Sequence, residues 1–270
     1  MPTTVQAALL GVVQGLTEFL PVSSSAHLIL ARAFFGWDSD QFGLAFDVAC
    51  HVGTLVAVLI YFRREIAAMV ASLPRLFNPA MDQDAHLIWL IAVGTIPAVV
   101  VGLLFKHRIE DNLRTPAIAA ATLAIGAAGF FVAERSGSKT RNDQSLTFAE
   151  AFLIGCAQAL ALVPGVSRSG ATITVALLLG LRRADSARFI FLLAIPAILG
   201  AAASEAPKLL KAGIGAEGAT LFLIGVVSSA IVGYIAVKWF IRYLANHSLD
   251  VFAWYRLALA AAVVIWLWRA

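Results

Sequence analysis

Six apolar stretches, each about as long as a membrane-spanning helix, limit the folds that are open to this chain. A helix needs about 20 apolar residues to cross the hydrocarbon core of a bilayer. Hydrophobic residues make up 60% of the chain and charged residues only 13%, which is too little polar surface for a water-soluble protein of 270 residues. The sequence therefore predicts an all-α polytopic membrane protein, a single integral membrane domain over 1–270. The apolar stretches lie at about 44–62, 86–105, 115–133, 187–204, 217–241 and 250–268.

Two further apolar stretches, at about 4–35 and 148–181, are interrupted near their middles by Pro, Ser and charged residues. The halves on either side of each interruption are too short to span a bilayer. Irregular backbone at membrane depth persists only where protein or a water-filled cavity satisfies its polar groups. We therefore expect two re-entrant helical hairpins in addition to about six spanning helices.

The two interrupted stretches also resemble each other, which indicates an internal duplication. Three spanning helices separate the hairpins, so the second half begins on the opposite face of the membrane. The sequence predicts an inverted repeat, about 1–135 and about 145–270, whose hairpins meet near the midplane, an architecture known from transporters. With an offset of 144, residues 11–26 match 155–170 at Gly11/Gly155, Gln14/Gln158, Leu16/Leu160, Val22/Val166, Ser23/Ser167 and Ser25/Ser169.

Charge and cysteine usage narrow the setting. The Lys and Arg residues that give the net charge of +4 lie in short loops, with an excess on the face opposite the two termini. This pattern is typical of loops beside an anionic leaflet and predicts both termini outside the cytoplasm, with membrane lipids and no nucleic acid as partners. Residues 1–10 contain no Lys or Arg, so we expect no cleaved signal. Cys50 and Cys156 form neither a disulfide pattern nor a zinc pattern and are expected to be packing residues.

The first interruption carries an acid, a run of hydroxyls and an imidazole. Gln14 and Glu18 are four residues apart and share one helix face. Pro21 ends that helix, because a proline disfavours helical geometry in the residue before it. Ser23–Ser25 can then cap and begin the return helix, which carries His27 in its first turn. The N-terminus of such a helix favours anions.

The second interruption carries a cation in place of the acid. Pro164 and Gly165 allow the backbone to bend and to approach a ligand closely. Ser167 and Ser169 offer hydroxyls, and Arg168 between them has a planar fork that suits phosphate oxygens. Charged groups are costly in hydrocarbon, so the two interruptions together form a functional-site hypothesis.

Each of these residues also has a purely structural explanation, and some polar residues are assigned no chemistry. A serine hydroxyl can bond to its own helix backbone, and Glu18 can simply pair with Arg168. Asp47 and His51 share a helix face, either as a pair near the interface or as support for the site. The segment that holds Glu134, Arg135 and Lys139 is interpreted as a solvated loop, and Pro97 and Pro196 as helix kinks.

The two interruptions give the chain its resemblance to a known family. The chain resembles, over essentially its whole length, the undecaprenyl-diphosphate phosphatases of the bacitracin-resistance type. The matching patterns are [Glu/Gln]-x-x-x-Glu, present as Gln14-Gly-Leu-Thr-Glu18, and Pro-Gly-x-Ser-Arg-Ser, present as Pro164-Gly-Val-Ser167-Arg168-Ser169. Ala26 departs from the glycine that the family usually has before His27. Gln14 stands where some members have an acid, which leaves one carboxylate in place of two.

The resemblance implies an activity and a location. Such an enzyme removes the terminal phosphate from a C55 polyprenyl diphosphate and regenerates the monophosphate carrier used in peptidoglycan and cell-wall synthesis, which also confers resistance to bacitracin. It lies in the bacterial inner membrane with its active site open to the outer face, and it uses a divalent cation, Mg or Ca. The rival hypothesis is a lipid-phosphate flippase or an anion transporter built on the same inverted repeat. The sequence leaves open whether the chain is a homo-oligomer.

The resemblance also assigns roles to residues. Catalytic roles fall to Glu18, Ser24, His27 and Arg168. Our mechanistic hypothesis takes Ser24 as the nucleophile, because it aligns with Arg168 in the repeat. Direct attack by water and a phosphorylated His27 remain open alternatives. Substrate binding is assigned to Ser23, Ser167, Arg168, Ser169 and Thr172, and metal binding to Glu18 with Gln14.

Overall fold

The computed structural model describes residues 3–37, 42–78, 82–212 and 215–269, and eleven α-helices form most of this part of the chain. The first half contains α1 (Thr3–Phe19), α2 (Ser24–Phe35), α3 (Leu44–Tyr61), α4 (Arg63–Ser72), α5 (Gln83–Asn112) and α6 (Pro116–Ser136). The second half contains α7 (Phe148–Leu160), α8 (Arg168–Leu178), α9 (Arg183–Ala212), α10 (Ala216–Leu244) and α11 (Asp250–Arg269).

Six of these helices are long and apolar enough to cross a membrane, which confirms the predicted number of spans. No β-strand forms within the described ranges, so the all-α fold class is confirmed as well. The helices α5 and α9 run well beyond their apolar stretches, to 30 residues each. The candidate spans are Leu44–Tyr61, Gln83–Phe105, Pro116–Ser136, Arg183–Pro207, Glu217–Leu244 and Asp250–Arg269.

Both interrupted stretches are broken helices. The first break separates α1 from α2 and contains Pro21, and the second separates α7 from α8 and contains Gly165, whose φ of 88° suits glycine. All four of these helices are shorter than the six candidate spans. Their re-entrant path through a bilayer stays a prediction, as do the boundaries of the two repeats.

Matched glycines let each broken stretch pack closely on the other half of the chain. The helix α1 packs on α10, and α7 packs on α5. A Cβ atom on Gly11 would lie 2.7 Å from the carbonyl oxygen of Gly225, and one on Gly155 would lie 2.3 Å from that of Gly94. Small residues permit such close helix crossings in membrane proteins. The Gly11/Gly155 match in the sequence therefore reflects equivalent crossings in the two halves.

Glu134 does not lie in the solvated loop that the sequence had indicated, although Arg135 is exposed and Lys139 lies in the irregular segment after α6. Glu134 lies in the last turn of α6, and its side chain is only 5% exposed. Its carboxylate pairs with Arg183 at the start of α9 and accepts a hydrogen bond from the backbone amide of Leu249 at 2.8 Å. These contacts join α6, α9 and the start of α11. The interpretation was wrong because the partners are distant in sequence.

Candidate active site

The helices α2 and α8 each follow an N-cap serine that has an unusual backbone conformation. Ser23 has a φ of 74° and Ser167 a φ of 72°, a region that residues with a side chain rarely adopt. Each serine caps its helix: Ser23 Oγ accepts from the amide of Ala26 at 3.5 Å, and Ser167 Oγ accepts from the amide of Gly170 at 3.1 Å. Strained backbone of this kind persists only where the surroundings impose it, and it is concentrated at functional sites.

A second pair of serines ties the two breaks to each other. Ser25 Oγ accepts from the amide of Gly165 at 3.4 Å. Ser169 Oγ lies 3.2 Å from the carbonyl oxygen of Glu18 and 3.3 Å from that of Leu20, and its hydroxyl can donate to either. Ser169, predicted to bind substrate, is thus directed at the backbone of the opposite break. The breaks consequently form one structural unit, although they lie about 140 residues apart in the chain.

Glu18 is the centre at which the predicted catalytic groups meet. Its Oε2 accepts from Gln14 Nε2 at 3.0 Å and from Ser24 Oγ at 2.7 Å. Its Oε1 lies 3.1 Å from Arg168 Nη2. The carboxylate is 5% exposed and faces hydrogen-bond donors on both oxygens, which is the environment of an ionised acid. The acid of the first break and the cation of the second break therefore form a single cluster.

The cluster contains a residue to which the sequence assigned no chemistry. His51 Nε2 lies 3.2 Å from Glu18 Oε2, and His51 Nδ1 lies 2.7 Å from the carbonyl oxygen of Asp47. With Glu18 ionised, both neighbours are acceptors, and the ring satisfies both as an imidazolium that donates from each nitrogen. Arg168 and the protonated form of His51 then flank one carboxylate. In that form the cluster carries an excess of positive charge that suits a phosphate group.

Asp47 lies one turn before this histidine on α3. Its carboxylate accepts from Arg32 at 2.7 and 2.9 Å and from Arg114 at 2.8 Å. Arg32 lies on α2, and Arg114 lies between α5 and α6, so the carboxylate joins three parts of the fold. The side chain of Asp47 thus binds two arginines, and only its backbone carbonyl contacts His51, so support of the site by this pair stays a prediction. The i,i+4 spacing was visible in the sequence, whereas the partners Arg114 and Glu18 were not.

Two other predicted residues have different neighbours. His27 Nδ1 donates to the carbonyl oxygen of Ser23 at 2.8 Å, and its Nε2 lies 2.7 Å from the hydroxyl of Tyr255 on α11. Tyr255 is 45% exposed, so this side of His27 faces outward from the cluster. Thr172 Oγ1 donates to the carbonyl of Arg168 at 2.6 Å and stabilises the first turn of α8. Tyr255 was not identified from the sequence.

The donor atoms around Glu18 fit a hard cation that is held partly by a ligand. Gln14 Oε1 is buried and has no hydrogen-bond partner within the described residues. It is a neutral oxygen on the residue that also contacts Glu18, and Mg²⁺ and Ca²⁺ prefer oxygen donors. The described residues contain no group of three or more His, Cys, Asp or Glu side chains placed to bind a metal. A cation here would need further oxygens from a phosphate group or from water.

An apolar cavity of about 340 Å³ lies between α3, α5 and α9 and reaches the second break. Val48 on α3 lines it one helical turn from His51, and Pro164 lines it three residues from Ser167. Its other walls include Leu103 and Gly200. The cavity is therefore lined by two of the elements that build the site, α3 and the second break.

Fold and site together define a class, the polytopic helical membrane proteins in which two broken helices build a buried, cationic cluster. In this cluster a serine hydroxyl donates a hydrogen bond to a carboxylate. The profile of the family described as "Bacitracin resistance protein BacA" matches residues 7–262. The chain belongs to this family.

Curated relatives cover nearly the whole chain. A protein of Rubrobacter xylanophilus named undecaprenyl-diphosphatase is 50% identical over 261 residues, which cover 96% of this chain and 96% of the relative. Proteins of the same name from Trichlorobacter lovleyi and Moorella thermoacetica are 44% and 42% identical, and the alignments cover at least 95% of every chain involved. The family resemblance inferred from the two motifs is confirmed.

Proposed function

We propose that this protein is an integral membrane phosphatase that hydrolyses undecaprenyl diphosphate to undecaprenyl phosphate and inorganic phosphate, and so recycles the lipid carrier of cell-wall synthesis. The observation that carries the proposal is the hydroxyl of Ser24 at 2.7 Å from Glu18, with Arg168 on the other oxygen of the same carboxylate. A hydroxyl, a base and an anion-binding cation in contact are the parts that phosphoryl transfer needs. The names of the relatives support the same substrate.

In the first step, Ser24 Oγ attacks the terminal phosphorus. The bond from that phosphorus to the bridging oxygen breaks, undecaprenyl phosphate leaves, and the serine proton passes to Glu18. The phosphate competes with Glu18 for Arg168, and a carboxylate that loses a cationic partner is a stronger base. Arg168, His51 and the N-terminal amides of α2 and α8 stabilise the charge on the phosphoryl oxygens.

In the second step, water attacks the phosphoserine and the bond from phosphorus to Ser24 Oγ breaks. Ser24 recovers the proton that Glu18 holds, and inorganic phosphate leaves. We assign the proton of the water to His27, because its Nδ1 is fixed on a carbonyl and its Nε2 can exchange the Tyr255 hydroxyl for the attacking water. The same geometry makes Nε2 the reactive nitrogen if His27 itself takes the phosphoryl group.

A divalent cation, Mg or Ca, fits the proposal as a partner of the substrate. Gln14 Oε1 and the Glu18 carboxylate would hold it, with the remaining ligands from the diphosphate and water. When bound, it would neutralise charge on the phosphoryl oxygens. Because two cationic side chains already contact Glu18, we expect the cation to enter with the substrate.

The apolar cavity is proposed to receive the first isoprene units of the lipid. Its lining is mostly apolar, although it includes Arg114 and Glu205, and it reaches Pro164 of the second break and Val48 one turn from His51. A chain lying there would present its diphosphate to Arg168. The excess of loop Lys and Arg opposite the termini supports an inner-membrane protein with both termini outside the cytoplasm and the site open to the outer face.

The transporter hypothesis is less well supported. A flippase or anion transporter needs cations and amide donors but not a serine hydroxyl on a buried carboxylate. The contact between Ser24 and Glu18 therefore favours the enzyme.

The test is phosphate release from undecaprenyl diphosphate by the purified protein in detergent, with and without EDTA. Arg168→Ala is expected to abolish release, whereas Arg269→Ala, an exposed arginine at the end of α11, is expected to leave it unchanged. EDTA is expected to reduce release, and added Mg or Ca to restore it. Folded protein that binds the lipid but releases no phosphate under any metal would contradict the proposal and favour the transporter.

A further inference from the structure

Arg256 on α11 is the largest wholly buried side chain in the described part of the molecule, with 0% of its surface exposed. It is an arginine in the middle of an apolar spanning helix, where a charge is costly and normally has a function. It makes none of the contacts of the Glu18 cluster. Its role must therefore come from what its guanidinium binds.

The guanidinium binds the backbone of both breaks at once. Nη1 donates to the carbonyl of Pro21 at 3.3 Å, in the first break. Nη2 donates to the carbonyls of Gly165 and Val166, both at 3.1 Å, in the second break. Further bonds of 3.1 Å to the carbonyls of Thr122 and Leu123 anchor it on α6. One side chain thus links the two segments that begin α2 and α8.

The surroundings are shaped for this group. A Cβ on Gly126 would lie 2.1 Å from Nη2, and a Cβ on Gly170 would lie 2.8 Å from Nη1. The ring of Phe130 lies 5.2 Å from the guanidinium carbon, where an aromatic face favours a cation. Within the described residues, the hydrogen bonds of Arg256 go to carbonyls and not to carboxylates, so no acid there cancels its charge.

We propose that Arg256 is a positioning residue of the active site: it fixes the first break against the second, so that Ser24 and Arg168 meet at Glu18, and its uncancelled charge adds to the attraction for phosphate. A lysine would keep the charge but could not bind carbonyls on three segments, because it lacks the planar fork. A methionine would lose both the bonds and the charge. The two substitutions therefore separate geometry from electrostatics.

The kinetic part of the test rests on the proposed phosphatase activity. Arg256→Lys is expected to lower kcat per folded molecule by about 100-fold, the cost of a displacement near 1 Å at a reacting group, with little change in KM. Arg256→Met is expected to lower kcat similarly and also to raise KM and the inhibition constant of inorganic phosphate. Phe252→Leu removes part of a buried ring on the same helix that packs on Phe240 and Tyr243 of α10, and should lower the unfolding temperature without lowering kcat per folded molecule.

Hydrogen exchange supplies a readout that needs no activity. Arg256→Lys is expected to speed amide exchange at 20–26 and 163–170 selectively, whereas Phe252→Leu is not. If Arg256→Lys does not fold, Gly126→Ala, which must displace the guanidinium, is expected to give the same pattern. Unchanged exchange at the breaks, or a fall in stability with normal kcat per folded molecule, would overturn the proposal. If Arg256→Lys shows selectively faster exchange at the breaks but the unsubstituted protein releases no phosphate, only the proposed phosphatase activity is contradicted.

Discussion

At the scale of single residues, the serines of the two breaks divide by what they face. Ser24 faces the carboxylate of Glu18, whereas Ser23, Ser25, Ser167 and Ser169 contact backbone groups or one another. The sequence placed all five serines at the breaks and singled out Ser24 as the nucleophile, but its contact with the carboxylate depends on where Glu18 lies in space. Ser24 is thus the serine whose hydroxyl is placed to lose its proton to an acid.

Ser24→Ala is expected to reduce phosphate release by about three orders of magnitude or more, because it removes the nucleophile. Ser228→Ala is a matched control, since the Ser228 hydroxyl bonds to its own helix at Ile224. The measurement is kcat in detergent with undecaprenyl diphosphate. A loss of less than about 100-fold would instead favour direct attack by water, with Ser24 as a supporting group.

At position 51, we expect replacement of the histidine by glutamine to preserve more activity than replacement by leucine. In His51→Leu, the Asp47 carbonyl and Glu18 each lose a donor at a buried site, which costs about 1–3 kcal/mol, and kcat/KM should fall by about 10- to 100-fold. His51→Gln keeps a donor and should retain most of the activity. His86→Gln, on α5, is the control. Equal kcat/KM for His51→Leu and the wild type would contradict a role in the cluster.

At the scale of elements, the helix ends at the breaks combine predictable and unpredictable features. Pro21 and the serine that follows it indicated where α1 stops and α2 starts, and the structure agrees. The positive φ of Ser23 and Ser167 gave no signal in the sequence, because serine is common at ordinary N-caps. The backbone is held there by contacts across the two breaks, not by local preference.

At Ser167, the strained N-cap of α8, we expect replacement by glycine to lower the stability of the protein less than replacement by alanine. Glycine relieves a backbone strain of about 1–3 kcal/mol and reduces the capping free energy by only a few tenths of a kcal/mol. Alanine reduces the capping free energy by about 1 kcal/mol and leaves the strain in place. Ser167→Gly should therefore unfold close to the wild-type temperature and Ser167→Ala clearly below it. At Thr147, an N-cap of α7 with a φ of −92°, the advantage of glycine should be smaller. Equal advantages at both sites would argue against strain at Ser167.

At the scale of the whole molecule, each broken stretch belongs to one half of the chain but packs on the other half. The pairs α1/α10 and α5/α7 cross through glycines, and the serines and Arg256 then join the breaks. The Glu18 cluster consequently lies between the halves, and the apolar cavity reaches the second break. These contacts make each break a structural support of the other.

Filling the apolar cavity should make the enzyme selective against long lipids. A Cβ on Gly200 meets no heavy atom within 4 Å, so Gly200→Phe can extend into the cavity without a clash. We expect KM for undecaprenyl diphosphate to rise while kcat/KM for a short-chain prenyl diphosphate stays unchanged. Gly215→Phe, at a position with equally open space before α10, is the control. An equal effect on both substrates would place the lipid elsewhere.

The sequence by itself determined the membrane setting, the six spans, the two breaks and most residues of the cluster, because length, hydropathy, proline and serine act locally along the chain. It also placed Glu18 and Arg168 at the breaks. Only the tertiary structure decided that the Arg168 guanidinium contacts the Glu18 carboxylate, that His51 completes the cluster, and that Arg256 joins both breaks. Glu134 was misassigned for the same reason. A buried charge is stabilised by partners that are near in space, and their distance along the chain leaves no pattern in the sequence.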